Sequence, residues 1–156
     1  MALVERSEQL ETLTGLLERA GEAGQLVLIA GEAGAGKSAL VQEFIGDLDG
    51  GRVLVGHCDD LFAPRPLGPL ADMARATDGP LRHALGSGDQ AAIFDAFLAE
   101  MAAPPHPVVA LLEDLQWADE ATLDLVSFVA RRLQSLSCLI LATHRVELSV
   151  DSALRR

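Results

Sequence analysis

The chain of 156 residues contains no asparagine, no tyrosine and a single lysine. Guanine selection of the N-K-x-D kind needs an asparagine, so GTPase specificity of that type is out of reach. Basic residues are outnumbered: the net charge is −11 and the pI near 4.6, which argues against wrapping nucleic acid or an anionic membrane surface. No run of eighteen apolar residues could cross a bilayer, and the acidic start, Met1-Ala2-Leu3-Val4-Glu5-Arg6, is unlike a signal peptide. Only two cysteines occur, Cys58 and Cys138, on different predicted strands and without metal-site spacing. They read as buried free thiols of a cytoplasmic protein. The four histidines, His57, His83, His106 and His144, share no metal spacing either, and each suits a solvated or capping role.

What is present centres on that one lysine. Lys37 closes Gly31-Glu32-Ala33-Gly34-Ala35-Gly36-Lys37-Ser38, a complete G-x-x-x-x-G-K-[ST] phosphate loop, while the other eleven basic residues are all arginine. A compact ammonium on a flexible stem reaches over a triphosphate where a planar guanidinium is too bulky. The glycines allow the backbone N–H groups to turn inward at phosphate oxygens, and the following helix presents its positive end. Context agrees. Residues 25–30 form a short run that is apolar after Gln25, as for a strand covered on both faces. After the loop, Leu40, Val41, Phe44, Ile45 and Leu48 recur at helical spacing, with Gly50-Gly51 as the expected stop. Gly31 to Ala39 is therefore the expected phosphate-binding segment.

Three further apolar runs, at 53–55, 108–112 and 138–142, alternate with helical patterns, which predicts a parallel α/β sheet in one domain. A helix should precede the first strand, with Leu10, Leu13, Leu16, Leu17 and Ala20 on one face and Ser7 as N-cap. The 61–106 stretch holds six of the seven prolines and reads as a helical insertion, with helices over 69–76 and 89–101 burying Ile93, Phe94, Phe97 and Leu98. A final amphipathic helix carries Leu123, Val126, Val129 and Leu133, and Arg131-Arg132 suit its C-terminal dipole.

The third apolar run ends in Glu113-Asp114, two carboxylates at the edge of the sheet where ligands bind. A phosphate-loop enzyme needs one acid there to hold the water shell of Mg²⁺ opposite the Ser38 hydroxyl, and a second can orient or deprotonate the attacking water. Arg145, at the end of the fourth strand, is a charge best explained by phosphate. Trp117 suits a packing anchor.

The segment Glu113-Asp114-Leu115-Gln116-Trp117-Ala118-Asp119-Glu120 resembles the acid-acid-x-x-Trp-Ala-Asp segment of the AAA-like signal-transduction ATPase domains at the front of LuxR-type, MalT-like bacterial regulators. Leu3 to Leu10 is similar to the family's "hhGRxxEL" opening, which implies an adenine-binding edge at Val4 and Arg6. Val55 to Asp59 with Pro66 to Leu70 look like its insertion, and Ala142-Thr143-His144-Arg145 resembles the strand end whose arginine senses the γ-phosphate. Glu5 stands where glycine is usual, Gln116 where histidine is common, and the acid pair is Glu-Asp. By position the resemblance gives Glu113 the Mg²⁺ role and Asp114 the water-orienting role, with the reverse assignment open. It implies a three-layer P-loop sandwich of order 5-1-4-3-2, ending before the fifth strand, that binds ATP·Mg²⁺ as a regulatory switch with slow hydrolysis. DNA contact would come only through a domain outside this chain, and an open sheet edge would favour self-association. A self-contained AAA-type ATPase and a non-hydrolysing scaffold are the alternatives.

Overall fold

The computed structural model describes residues 3–31, 36–63 and 65–145. Four strands, β1 (Gln25–Gly31), β2 (Arg52–His57), β3 (Val108–Glu113) and β4 (Cys138–Arg145), form one parallel sheet in the order β1-β4-β3-β2. β3 and β4 lie in the middle. Every residue of β3 is buried, as is every residue of β4 except Arg145, which is why both read as continuous apolar runs rather than alternating ones.

Helices cover both faces. On one, α1 (Leu3–Ala20) and α2 (Lys37–Gly46) pack Leu13, Ala20, Leu40, Val41 and Phe44 against Val109, Leu111, Leu139 and Leu141. On the other, α3 (Gly68–Ala76), α4 (Pro80–Ser87), α5 (Gln90–Ala102) and α6 (Glu120–Ala130) bring Leu70, Met73, Leu81, Phe97 and Leu125 to Val108, Ala110, Leu112 and Ile140. Each such buried Val, Leu, Ile, Phe or Met side chain contributes about 1.5–3 kcal/mol of hydrophobic stabilisation.

Several expectations need correction. Ser7 is not the N-cap: α1 begins at Leu3, so Ser7 falls a turn inside it, Glu5 and Arg6 being ordinary helix formers that extend the run. α2 ends at Gly46, with the Asp47 N–H donating to the Glu43 carbonyl, so Leu48 lies beyond the helix. Gly50 and Gly51, both at positive φ (77° and 87°), instead make the turn into β2. A Cβ on Gly51 would also strike Pro107, so glycine is required twice over at that position. Leu98 is only partly buried, on the margin of the α5 core face, and Leu133 sits beyond α6 in a short 3-10 turn (Leu133–Ser135). Cys58 follows β2 rather than lying on it. α4 was missed because it is only eight residues long and fully buries one side chain, Leu81, leaving almost no periodic signal.

Arg52 ties the insertion to the sheet. Its guanidinium donates to the Glu100 and Ala103 carbonyls at 2.7 and 3.1 Å and pairs with the buried Glu100 carboxylate at 2.7 Å. Asp119 is a second tie: it N-caps α6 through the Thr122 N–H and also accepts from the Leu67 N–H ahead of α3, both at 3.2 Å.

Candidate functional site

The carboxyl ends of the four strands bring the expected residues to one edge. Gly31, last in β1, is in register with Arg145 on β4, and Glu113, last in β3, is in register with His57 on β2. Two interstrand spacings, about 10 Å, separate β1 from β3.

Glu32, Ala33, Gly34 and Ala35 lie outside the described residues. The loop leaves them through Gly36, whose φ of 84° is left-handed and favours glycine. Lys37 opens α2, and its ammonium turns back to donate to the Gly31 carbonyl at 2.9 Å. Ser38 and Ala39 are exposed in the first turn. That turn has neither an acidic side chain nor a side-chain cap, so no negative charge of its own offsets the positive end of the helix dipole.

Arg6 lies on α1, at the end of the chain that carries the suggested adenine edge. Its Nε lies 3.4 Å from Glu43 Oε2, joining α1 to the helix that follows the phosphate loop. Val4 is on α1, but its side chain is outside the described residues.

The acid pair divides sharply. Glu113 is buried, 8% exposed, and its Oε2 sits 2.8 Å from Nδ1 of His57. Asp114 is exposed and has a φ of 59°, a left-handed conformation unusual outside glycine. Its N–H donates to the Thr143 hydroxyl at 3.0 Å. After Asp114 a single 3-10 turn (Leu115–Trp117) carries Gln116, whose amide oxygen accepts from the Arg145 N–H at 3.1 Å. Trp117 packs against the core, and the Arg145 guanidinium carbon lies 5.8 Å over its ring.

Carboxylates crowd this edge. Burial first, and then Asp119, Asp114, Asp59 and Asp72, push the Cys58 thiol up to about 12 from an ordinary 9.0. Burial alone takes Cys138 up to about 11. Both thiols are free, buried and poor nucleophiles. Among the described residues no cluster of three metal-ligating side chains occurs, and no helix is long and apolar enough to cross a membrane.

Local sequence reasoning missed three things. His57 was assigned a solvated or capping role, yet it holds Glu113; the only signal was a histidine ending one strand and an acid ending another. His144 is buried, 3% exposed, with Nδ1 at 2.8 Å from the Arg145 carbonyl, rather than solvated. Gln116 was noted only as a departure from the family pattern.

A parallel sheet whose first strand runs through a glycine-lysine phosphate loop into a helix is the P-loop NTPase fold. The chain matches the AAA ATPase domain family over residues 2–141 and belongs to that family. A solved structure described as a DNA replication initiation factor is similar, with a TM-score of 0.56 and 19% identity over 99% of this chain and 45% of that one. Such a likeness concerns the fold alone, and the chain spans less than half the length of that protein. No curated protein matches.

Proposed function

We propose that this AAA ATPase domain binds ATP·Mg²⁺ through residues 31–39 and acts as a slowly hydrolysing switch in a LuxR-type transcriptional regulator. The observation that carries the nucleotide reading is the meeting of the Lys37 helix start, the Glu113-Asp114 pair and Arg145 at one carboxyl edge. The regulator reading rests on the Glu113–Glu120 segment and its companions. Ser38, exposed in the first turn of α2, and Glu113 fit the Mg²⁺-side roles, since a hydroxyl and a carboxylate are the hard oxygen donors that this ion prefers. When bound, the ion neutralises charge on the phosphate oxygens. The protein's part is to cradle phosphates with N–H groups, to place the Lys37 ammonium and the Arg145 guanidinium against developing charge, and to orient water at Asp114.

Nucleotide acts as a ligand with different affinity for two states of the domain, and that difference sets the switch. Among the described residues β1 pairs only with β4, and Leu28 is 40% exposed, which supports pairing of this edge with a further strand, in this chain or another. The 61–106 insertion is read as part of the same single domain.

Calorimetric titration with ATP·Mg²⁺, followed by turnover of Asp114→Asn, tests the reading. Asp114→Asn should retain ATP·Mg²⁺ affinity within about threefold and lose at least about tenfold in turnover, since it removes the base or orienting charge. If Asp114→Asn loses Mg²⁺-dependent binding while Glu113→Gln only slows turnover, the two roles are reversed. One observation favours a second, binding-only reading: the Glu113 carboxylate is engaged by His57. Tight ATP·Mg²⁺ binding with no turnover would select it.

A further inference from the structure

The two central strands part company at the site. The β3–β4 register ends at Leu112 and Ala142, whereas β2–β3 pairing continues to His57 and Glu113, and β1–β4 pairing continues to Gly31 and Arg145. Past Leu112 and Ala142, each central strand is therefore held by its outer neighbour, and a fork opens between them. Side chains bridge that fork. Thr143 Oγ1 accepts from the Asp114 N–H at 3.0 Å, and Gln116 Oε1 accepts from the Arg145 N–H at 3.1 Å. The other end of the same amide, Gln116 Nε2, lies 3.4 Å from Asp114 Oδ1 and donates to it.

Gln116 thus touches both arms at once: the backbone that carries Arg145 and the carboxylate of Asp114. A neutral amide can do so because it carries an acceptor and a donor at one tip. A carboxylate in its place could accept from Arg145 but would repel Asp114, and an aliphatic side chain could do neither. Asp114 itself sits in a left-handed conformation at the mouth of the fork, where nothing within the β3 ladder fixes its side chain.

We propose that Gln116 is a positioning residue that couples Arg145 to Asp114, so that the phosphate drawing Arg145 inward also sets the Asp114 carboxylate for the attacking water. This rests on the roles given to Arg145 and Asp114 above. The bridge of Gln116 runs to protein groups, the Arg145 N–H and the Asp114 carboxylate. Its effect is on geometry, so its loss should fall on turnover and spare binding.

Two variants separate the halves of the bridge. Gln116→Leu removes both hydrogen bonds; Gln116→Glu keeps the acceptor for Arg145 and breaks the link to Asp114. Both should retain the wild-type melting temperature within a few degrees and ATP·Mg²⁺ affinity within about twofold, and both should lose about tenfold or more in kcat with little change in KM. A second readout needs binding only. In amide NMR spectra of the wild type, exchanging ADP for a non-hydrolysable ATP analogue should shift both the Arg145 and Asp114 amides. In Gln116→Leu the Arg145 shift should persist and the Asp114 shift should vanish. Turnover within twofold of wild type in both variants, or an Asp114 response that survives Gln116→Leu, overturns the coupling. Where the wild type hydrolyses too slowly to measure, the Asp114 response alone decides. If the wild type binds no nucleotide, the functional reading fails and the coupling with it, an outcome distinct from a variant that behaves like wild type.

Discussion

Gly56→Ala should destabilise the domain by overpacking. Gly56 is the fifth residue of β2, and the N-terminal backbone of α3 lies close against it. A Cβ built there lies 2.7 Å from both Cα and Cβ of Pro69, and nearer still to its carbonyl oxygen. Reaching an ordinary 3.4 Å from the Pro69 Cα alone requires a retreat of about 0.7 Å, and the obstacle is backbone rather than a swinging side chain. α3 would have to lift from β2, loosening Leu70 and Met73, both 0% exposed. It would also pull on Asp72, which accepts from the His57 N–H at 3.0 Å, and so disturb the residue that holds Glu113. Overpacking of this kind costs about 1–3 kcal/mol. For a domain of this size that is a fall in Tm of roughly 2–12 °C, readable by circular dichroism. A Gly56→Ala protein that melts within 1 °C of wild type would refute the close seating of α3 on β2.

Two further outcomes follow from buried polar groups. Arg52→Ala removes the partner of Glu100, which is 2% exposed, and strands a buried carboxylate; a loss of about 3 kcal/mol is expected in urea unfolding, and a loss under about 1 kcal/mol would contradict the tie. Cys58 and Cys138 have raised folded-state values, about 12 and 11 against 9.0 unfolded, so their contribution to stability is intact below about pH 9 and lost as the pH climbs from there through 11 to 12. Alkylation by iodoacetamide at pH 8 should be slow in native protein and fast in urea; rapid native labelling would show that the thiols are not buried.

Much of this fold was legible because its signals are local. β3 and β4 are covered on both faces, so Val108–Leu112 and Cys138–Ala142 announce themselves as unbroken apolar runs. The phosphate loop is equally local: Gly36 needs a left-handed backbone and Lys37 must follow it. The acid pair was legible as chemistry, but its environment was not. Which side chain faces Glu113 depends on the register between β2 and β3, and the link from Gln116 to Arg145 spans 29 residues. Neither leaves a periodic trace. The Leu67 and Gly68 start of α3 was blurred for a similar reason, since Leu67 takes a left-handed turn (φ 54°) while its N–H is held by Asp119, 52 residues on.

The central claim is that Lys37 serves a nucleotide phosphate, and Lys37→Ala tests it most directly. The ammonium holds the Gly31 carbonyl at the rim of the site, away from the two core clusters, so the variant should keep its far-ultraviolet circular dichroism and melt close to wild type. Calorimetric titration with ATP·Mg²⁺ should show affinity reduced by about a hundredfold or more, some 2.7 kcal/mol. A folded Lys37→Ala protein that binds ATP·Mg²⁺ within about threefold of wild type, under ~0.7 kcal/mol, would contradict the account.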